Sequence, residues 1–252
     1  MSLFQPAPIR RALTIAASLG ALTLSTAALA DAIVVRSSGP SAASHPVGQR
    51  LPSTARIVLR AGDRVVLVGE GGSRTLAGPG NFPVRATAQP PQGRAATLNR
   101  FLNASGGSIS RTGAVRGPGA EGPATPPSLW VVDIARSGTF CAVDIADVTL
   151  WRADPAGDTL FMVNDVAHPG TQASVAFVAG QNFRRWPIES LPVADGAAYS
   201  ISGPGLATPS TINIVSVGTP PTDVTAIATA LADKGCTAQL ALLGDELANS
   251  AP

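Results

Sequence analysis

Apolar and polar residues alternate along the first part of the chain in a way that predicts short β-strands. After a strand at 32–36, the segment 55–60 places alanine, isoleucine and leucine on one face and arginine, valine and arginine on the other. Two more strands are predicted at 64–68 and 73–77, and a glycine-containing turn at 61–63 precedes them. Short alternating strands with such turns are typical of a β-meander.

A second set of strands is predicted after residue 128. Trp130, Val132 and Ile134 alternate with their neighbours, and Cys141 shares an apolar face with Val143. This texture, with many turn residues, is typical of an antiparallel sandwich or barrel. The further predicted strands lie at 148–153, 158–163, 173–179, 197–202 and 211–217.

Helical spacing occurs in three places. Apolar residues at 95, 98, 101 and 102 predict a short helix over 93–103. A stronger pattern runs from Val224 to Leu231, with a start at Thr219-Pro220 or Thr222-Asp223 and Gly235 as the stop signal. The leucines that follow fit either another helix or a strand at 237–243.

The first thirty residues have the features of a secretory signal peptide. Arg10 and Arg11 precede an uncharged apolar run, and Ala28-Leu29-Ala30 offers a cleavage site before Asp31. An uncleaved membrane anchor is the alternative, and export by either the Sec or the twin-arginine route fits the two arginines. We expect a mature protein in the periplasm of a Gram-negative bacterium.

Charge is distributed unevenly between the two halves of the chain. Residues 31–127 hold eleven arginines against two aspartates and two glutamates, whereas residues 128–252 hold five basic residues against twelve acidic ones. The leader contributes two further arginines, so the basic pI of the whole chain gives no support to nucleic-acid binding. The two halves either neutralise each other or face different partners.

These patterns predict a mainly β protein of two small units. We assign 1–30 to the signal peptide and 31–88 to a basic β-meander domain. A short helix and a Gly/Pro/Arg-rich linker occupy 89–127, because 104–127 has few large apolar residues. An acidic, tryptophan-containing sandwich or barrel with one or two C-terminal helices occupies 128–247.

The only two cysteines are predicted to form a disulfide. Cys141 and Cys236 would meet an oxidising compartment after export, where an even pair usually forms a bridge. Their wide separation does not fit a C-x-x-C redox or metal motif. Two buried free thiols are the alternative.

Three short runs resemble the repeating β-turns of FecR-type periplasmic domains. They are Gly48-Gln49-Arg50-Leu51, the segment 57–65 (IVLRAGDRV) and the segment 72–80 (GSRTLAGPG). The start at 33–41 (IVVRSSGPS) and the tryptophan-rich second half also resemble uncharacterised exported proteins of alphaproteobacteria. The FecR resemblance implies a periplasmic sensor or an assembly partner.

Arginine beside tryptophan provides the candidate binding surface. Such pairs bind anions or stack on sugars and aromatic ligands, although tryptophan is also a large core residue and burial is the alternative. The candidate residues are Trp151, Arg152, Arg184, Arg185 and Trp186.

Aspartates and histidines offer weaker candidates for chemistry. Six aspartates between 133 and 165 would suit a calcium site, but aspartate is also common in turns and their spacing is not that of an EF-hand. His45 and His168 have no ligand-spaced partners. We therefore predict no catalytic residue, metal or cofactor.

The sequence favours a non-enzymatic periplasmic binding or envelope-associated module. The alternatives are an envelope-acting hydrolase that uses carboxylates of the second unit, and a FecR-like sensor or assembly partner. The expected partner is an envelope component or another periplasmic protein. We expect no nucleic acid and no membrane span after cleavage of the leader.

Overall fold

The computed structural model describes residues 32–70, 72–85, 95–103, 125–219 and 223–250. The predicted signal peptide and its cleavage site lie outside these ranges, as does most of the predicted linker, residues 104–124. The described residues form strands, three α-helices and one short 3-10 turn (Ala42–Ser44).

Six strands belong to the N-terminal unit and eight to the C-terminal unit. In the N-terminal unit they are β1 (Ala32–Ser38), β2 (Arg50–Leu51), β3 (Arg56–Leu59), β4 (Arg64–Gly69), β5 (Gly72–Ala77) and β6 (Gly80–Pro83). In the C-terminal unit they are β7 (Val131–Asp133), β8 (Gly138–Ala142), β9 (Thr149–Trp151), β10 (Thr159–Asp165), β11 (Gln172–Phe177), β12 (Phe183–Arg185), β13 (Ala198–Ser202) and β14 (Ser210–Ser216).

The N-terminal unit stacks a four-stranded sheet, in the order β2-β1-β4-β5, on the two-stranded ribbon β3-β6. The strands of the predicted meander are present, but β3 pairs with β6 and not with β4, so they divide between two sheets. Ile57 and Leu59 of the ribbon share a small core with Val34 and Val65 of the sheet. The alternation along β3 therefore sends Arg56 and Val58 to the outside.

The C-terminal unit is a sandwich of a five-stranded and a three-stranded sheet. The strand orders are β11-β10-β13-β14-β8 and β12-β9-β7, and neither of these sheets closes into a barrel. Most pairs are antiparallel, but β8 pairs with β14 and β7 with β9 in parallel. Aromatic side chains fill the core between the sheets, where Trp186 contacts Tyr199 edge-on with ring centroids 4.8 Å apart.

The three helices are α1 (Ala95–Asn103), α2 (Val224–Asp233) and α3 (Thr237–Ser250). Asp223 caps α2 by accepting a hydrogen bond from the Ala226 N–H at 2.8 Å, and Gly235 adopts a positive φ of 72° where the chain leaves α2. Of the two alternatives for 237–243, the helix is observed. Among the described residues no helix is long and apolar enough to cross a membrane.

The helices form a middle layer between the two β units. One core joins the outer face of the N-terminal sheet to all three helices and to β8 of the sandwich. Its members include Ile33, Val35, Val66 and Val68 from the sheet, Phe101 from α1, Leu231 from α2, Leu240 and Leu243 from α3, and Cys141 from β8. The C-terminal helices thus pack on the N-terminal sheet as well as on their own unit.

Candidate functional site

The five candidate residues from the sequence do not form one exposed surface. Trp151, Arg152 and Trp186 are buried, with 3%, 4% and 4% of their surfaces exposed. They also lie on different faces of the three-stranded sheet, because Trp151 packs with Val131 on its outer face, whereas Trp186 lies in the sandwich core. The tryptophans therefore have the buried environment that the sequence left open as the alternative.

Arg152 is held by neutral oxygens. Its guanidinium donates to the backbone carbonyls of Gln181, Pro155, Gly157 and Val178 at 2.9 to 3.2 Å, and to the Thr159 hydroxyl at 2.5 Å. It also lies over the ring of Phe177, 5.0 Å from the centroid. With its donors directed to these groups, Arg152 joins two turns of the sandwich and has no free face for a ligand.

Arg184 and Arg185 are exposed but point to different neighbours. The Arg184 Nε donates to the Ala176 carbonyl at 2.6 Å and so links β12 to β11 across the gap between the two sheets. Arg185 lies 3.3 Å from an Asp147 carboxylate oxygen. Neither contributes to a shared aromatic site with Trp186, whose indole N–H donates to the Leu191 carbonyl in the core.

The aspartates of the C-terminal unit satisfy their own turns. The carboxylates of Asp144, Asp154 and Asp165 each accept a hydrogen bond at 2.8 Å from the N–H two residues ahead. Asp165 also lies 2.9 Å from the ring nitrogen of exposed His168. The hydrogen bond between them is the main cause of the lowered pKa of Asp165. Within the described ranges, no three His, Cys, Asp or Glu side chains gather as a metal ligand set.

Asp133 differs from the other aspartates because it is buried. Burial raises the pKa of Asp133, although the Ala135 N–H and the nearby Arg136 guanidinium act to lower it. The contacts of its carboxylate lie within the same turn, since Arg136 is three residues away along the chain.

Cys141 and Cys236 form a disulfide, with Cα atoms 5.8 Å apart. Cys141 lies on β8 and Cys236 lies between α2 and α3, so the bond ties the helical layer to the sandwich. Both residues are buried, at 1% and 0% exposure. The predicted pairing is present, and it belongs to the scaffold.

Gln239 completes the same attachment. Its side-chain oxygen accepts from the Cys141 N–H at 2.6 Å, and its amide nitrogen donates to the Cys141 and Leu129 carbonyls at 2.9 and 2.8 Å. Gln239 is 3% exposed. One buried amide therefore occupies the open edge of β8 as a neighbouring strand would, and the sequence carried no signal for this role beyond a glutamine beside Leu240.

Two ion pairs cross from the basic unit to the acidic helices. Arg36 of β1 lies 2.5 Å from Asp245 of α3, and Arg50 of β2 pairs with Asp233 of α2. All four side chains are partly exposed at the rim of the helix–sheet contact. The two halves of opposite charge therefore meet at this contact, which is one of the two arrangements that the charge pattern allowed.

The outer face of the β3-β6 ribbon presents a different set of arginines, which we call the basic face. It consists of Arg56, Val58, Arg60, Asn81 and Pro83. Val58 is 63% exposed, the highest value among the exposed large hydrophobic residues of the described chain. Arg56 and Arg60 are exposed on either side of it.

Arg56 of the basic face is held in place by an uncharged residue, which does not neutralise the arginine. Its Nε donates to the side-chain oxygen of Asn81 at 2.8 Å, and its Nη2 donates to the Asn81 carbonyl at 2.9 Å. Both partners are neutral amide oxygens, so the guanidinium keeps its charge, and its remaining N–H groups stay available to another acceptor. Arg56 is thereby a positioned cation on an exposed surface.

The turn after β3 is held by the buried carboxylate of Asp63, which accepts from the Ser41 and Arg60 N–H groups at 2.8 and 2.5 Å. Burial acts to raise the pKa of Asp63, but the hydrogen bonds from Ser41 and Arg60 and the positive charge of Arg60 together outweigh it, so that the pKa lies below its ordinary value. The carboxylate of Asp63 therefore stabilises this turn, and the turn fixes the end of the strand that carries the basic face.

The sequence pattern already contained the residues of β3 that form the basic face, but it did not indicate that they form a candidate binding surface. The alternation over 55–60 already placed two arginines and a valine on one side of a strand. Val58 is one of four large hydrophobic residues that are exposed in the described chain, with Leu160, Val166 and Val178, and it is the one that lies between two arginines.

Comparison with protein-family models, curated proteins and solved structures gives no match to this chain. The resemblances to FecR-type domains and to exported alphaproteobacterial proteins therefore stay predictions.

Proposed function

We propose that this protein is a non-enzymatic binding module of the periplasm that attaches to a negatively charged component of the cell envelope through the basic face. The observation that carries the proposal is Arg56, an exposed arginine that is positioned by Asn81 and keeps its charge. Positioned arginines are the residues that bind carboxylate and phosphate groups most effectively, because their planar donors match these anions.

The scaffold supports a binding role. The helical layer packs on the N-terminal sheet, two ion pairs lie at the rim of that contact, and the disulfide ties the layer to the sandwich, so the basic face is carried on a firmly packed support. The signal-peptide pattern and the buried disulfide both suit an exported protein.

Sedimentation with isolated cell envelopes tests this proposal. The mature, oxidised chain should pellet with the envelopes at about 0.05 M salt and be released at about 0.5 M, because screening weakens contacts between exposed charges. The double variant Arg56→Gln/Arg60→Gln should remain in the supernatant.

Arg64→Gln is the matched control. Arg64 is an exposed arginine of the same unit, but the alternation along β4 places it on the face that carries Val66 and Val68, away from the ribbon. This variant should pellet like the unmodified protein. Equal loss of binding in both variants would mean that net charge alone drives sedimentation and would overturn the proposed site.

A further inference from the structure

The basic face combines two features that a binding site for a small anion does not need. Its cations are Arg56, the first residue of β3, and Arg60, which directly follows the last residue of β3. The extended chain between them separates their Cα atoms by about 13 Å. At that separation each guanidinium group can hold an anion of its own. The face therefore suits an array of anions.

The second feature is the exposed valine between the arginines. Val58 lies directly opposite Asn81 in the ribbon, as Arg56 lies opposite Pro83. An apolar side chain flanked by cations gains nothing from a soluble polyanion in water. Its binding free energy becomes more favourable at a surface where anionic groups lie above hydrocarbon, since an apolar side chain can be buried there.

We infer that the basic face of this protein docks on the surface of an anionic lipid bilayer, with Arg56 and Arg60 on lipid phosphates and Val58 entering the boundary between headgroups and acyl chains. The inference rests on the proposed function and names its ligand. Charge complementarity supports it, because the negative potential of an anionic membrane surface attracts each arginine near that surface.

The position of the face in the molecule agrees with this docking. The ribbon lies on the opposite side of the N-terminal unit from the helical layer, since Ile57 and Leu59 point into the small core while the arginines point away. The acidic C-terminal unit is attached through that helical layer. A bilayer at the ribbon therefore meets the basic unit first, and the acidic sandwich is attached on the far side.

Co-sedimentation with defined vesicles tests the inference. The mature, oxidised chain should bind vesicles that contain phosphatidylglycerol and should not bind vesicles of phosphatidylcholine alone. Arg56→Gln and Arg60→Gln should each weaken binding about fivefold, which corresponds to the usual contribution of one basic residue at such a surface. Arg64→Gln, on the other face, should weaken it much less.

Val58→Thr separates a membrane from a soluble polyanion. Threonine keeps the β-branched shape, so the strand is retained, but it removes the apolar contribution. The variant should bind phosphatidylglycerol vesicles several-fold more weakly and should bind inorganic polyphosphate as the unmodified chain does.

Three results would overturn the inference. Unchanged vesicle binding by Val58→Thr, together with strong binding of polyphosphate, would show that the ligand is a soluble polyanion, and the proposed function would survive. Equal losses for Arg56→Gln and Arg64→Gln would remove the basic face from either role. Binding to neither vesicles nor polyphosphate, together with no sedimentation with envelopes, would remove both proposals.

Discussion

The C-terminal helices attach to the two β units by different means. On the sandwich side, α3 is held through a covalent bond beside it and a buried glutamine whose three hydrogen bonds reach Cys141 and Leu129. On the N-terminal side, the helices rest on apolar side chains of β1 and β4, and polar contacts lie around that layer. The first attachment depends on particular chemical groups, and the second depends on shape.

The shape of the second attachment is visible at Gly244. A Cβ atom at this position would lie 2.5 Å from the Val35 carbonyl oxygen and 2.8 Å from the Arg36 Cβ, so α3 crosses β1 with its backbone almost against the strand. Such an approach has room only for glycine. The two attachments should therefore respond to different substitutions. The attachment to the sandwich should be weakened by loss of a bond, and the attachment to the N-terminal sheet by addition of a methyl group.

The largest effect is expected from removal of the disulfide. The double variant Cys141→Ala/Cys236→Ala should lose about 4 kcal/mol of unfolding free energy, because the bond closes a long loop and restricts the unfolded chain. Chemical denaturation of the oxidised chain and the variant measures the difference. The reduced unmodified chain is the control and should match the variant; equal midpoints for all three would show that the bond does not hold the helices.

Gln239→Leu should be the next most damaging change, at about 3 kcal/mol. It leaves the N–H and C=O of Cys141 and the carbonyl of Leu129 buried without their side-chain partner, and each such group costs roughly 1 to 3 kcal/mol. Gln172→Leu, on the exposed face of edge strand β11, is the matched control and should be nearly neutral. A neutral result for Gln239→Leu would mean that the edge of β8 finds other partners.

Gly244→Ala should destabilise the protein by about 2 kcal/mol, a typical cost of overpacking. The sign is informative, because alanine in a helix interior normally gains about 1 kcal/mol over glycine. Hydrogen exchange locates the effect: amides of β1 should exchange faster, while those of β10 and β11 should not change. Stabilisation by this substitution would contradict the close approach of α3 to Val35.

The smallest effect is expected at the rim. Arg36→Gln and Arg50→Gln should each cost less than about 1 kcal/mol, since both ion pairs are partly exposed. The loss should shrink further in high salt, and Arg64→Gln, for which no ion pair is described, provides the comparison. A larger loss that high salt removes would indicate that the charges, and not the apolar layer, join the units.

Much of the secondary structure could be predicted because it follows from local patterns. The strands at 64–69, 159–165 and 210–216 and the helix from Val224 to Asp233 lie close to their predicted positions. Short strands without alternation, such as Arg50–Leu51 and Phe183–Arg185, were missed, because two or three residues carry no periodic signal.

The candidate site was harder to predict because exposure is not a local property. Arg152 and Arg56 each follow an apolar segment or precede one, and no sequence pattern distinguishes them. In the folded chain Arg152 is surrounded by carbonyls of its own turns, whereas Arg56 faces outward beside Asn81. The difference arises from which chain segments pack over each guanidinium.

The sequence by itself determined the longer strands, the helix from Val224 to Asp233, the charge difference between the halves, and the expected pairing of the only two cysteines. These follow from residue type, spacing along the chain and the number of cysteines. Only the tertiary structure decided that β3 pairs with β6, that the C-terminal helices lie between the two units, and that the tryptophans are buried while Val58 is not. Each of these depends on contacts between residues far apart in the chain, where packing and excluded volume select one arrangement among several that the same local patterns allow.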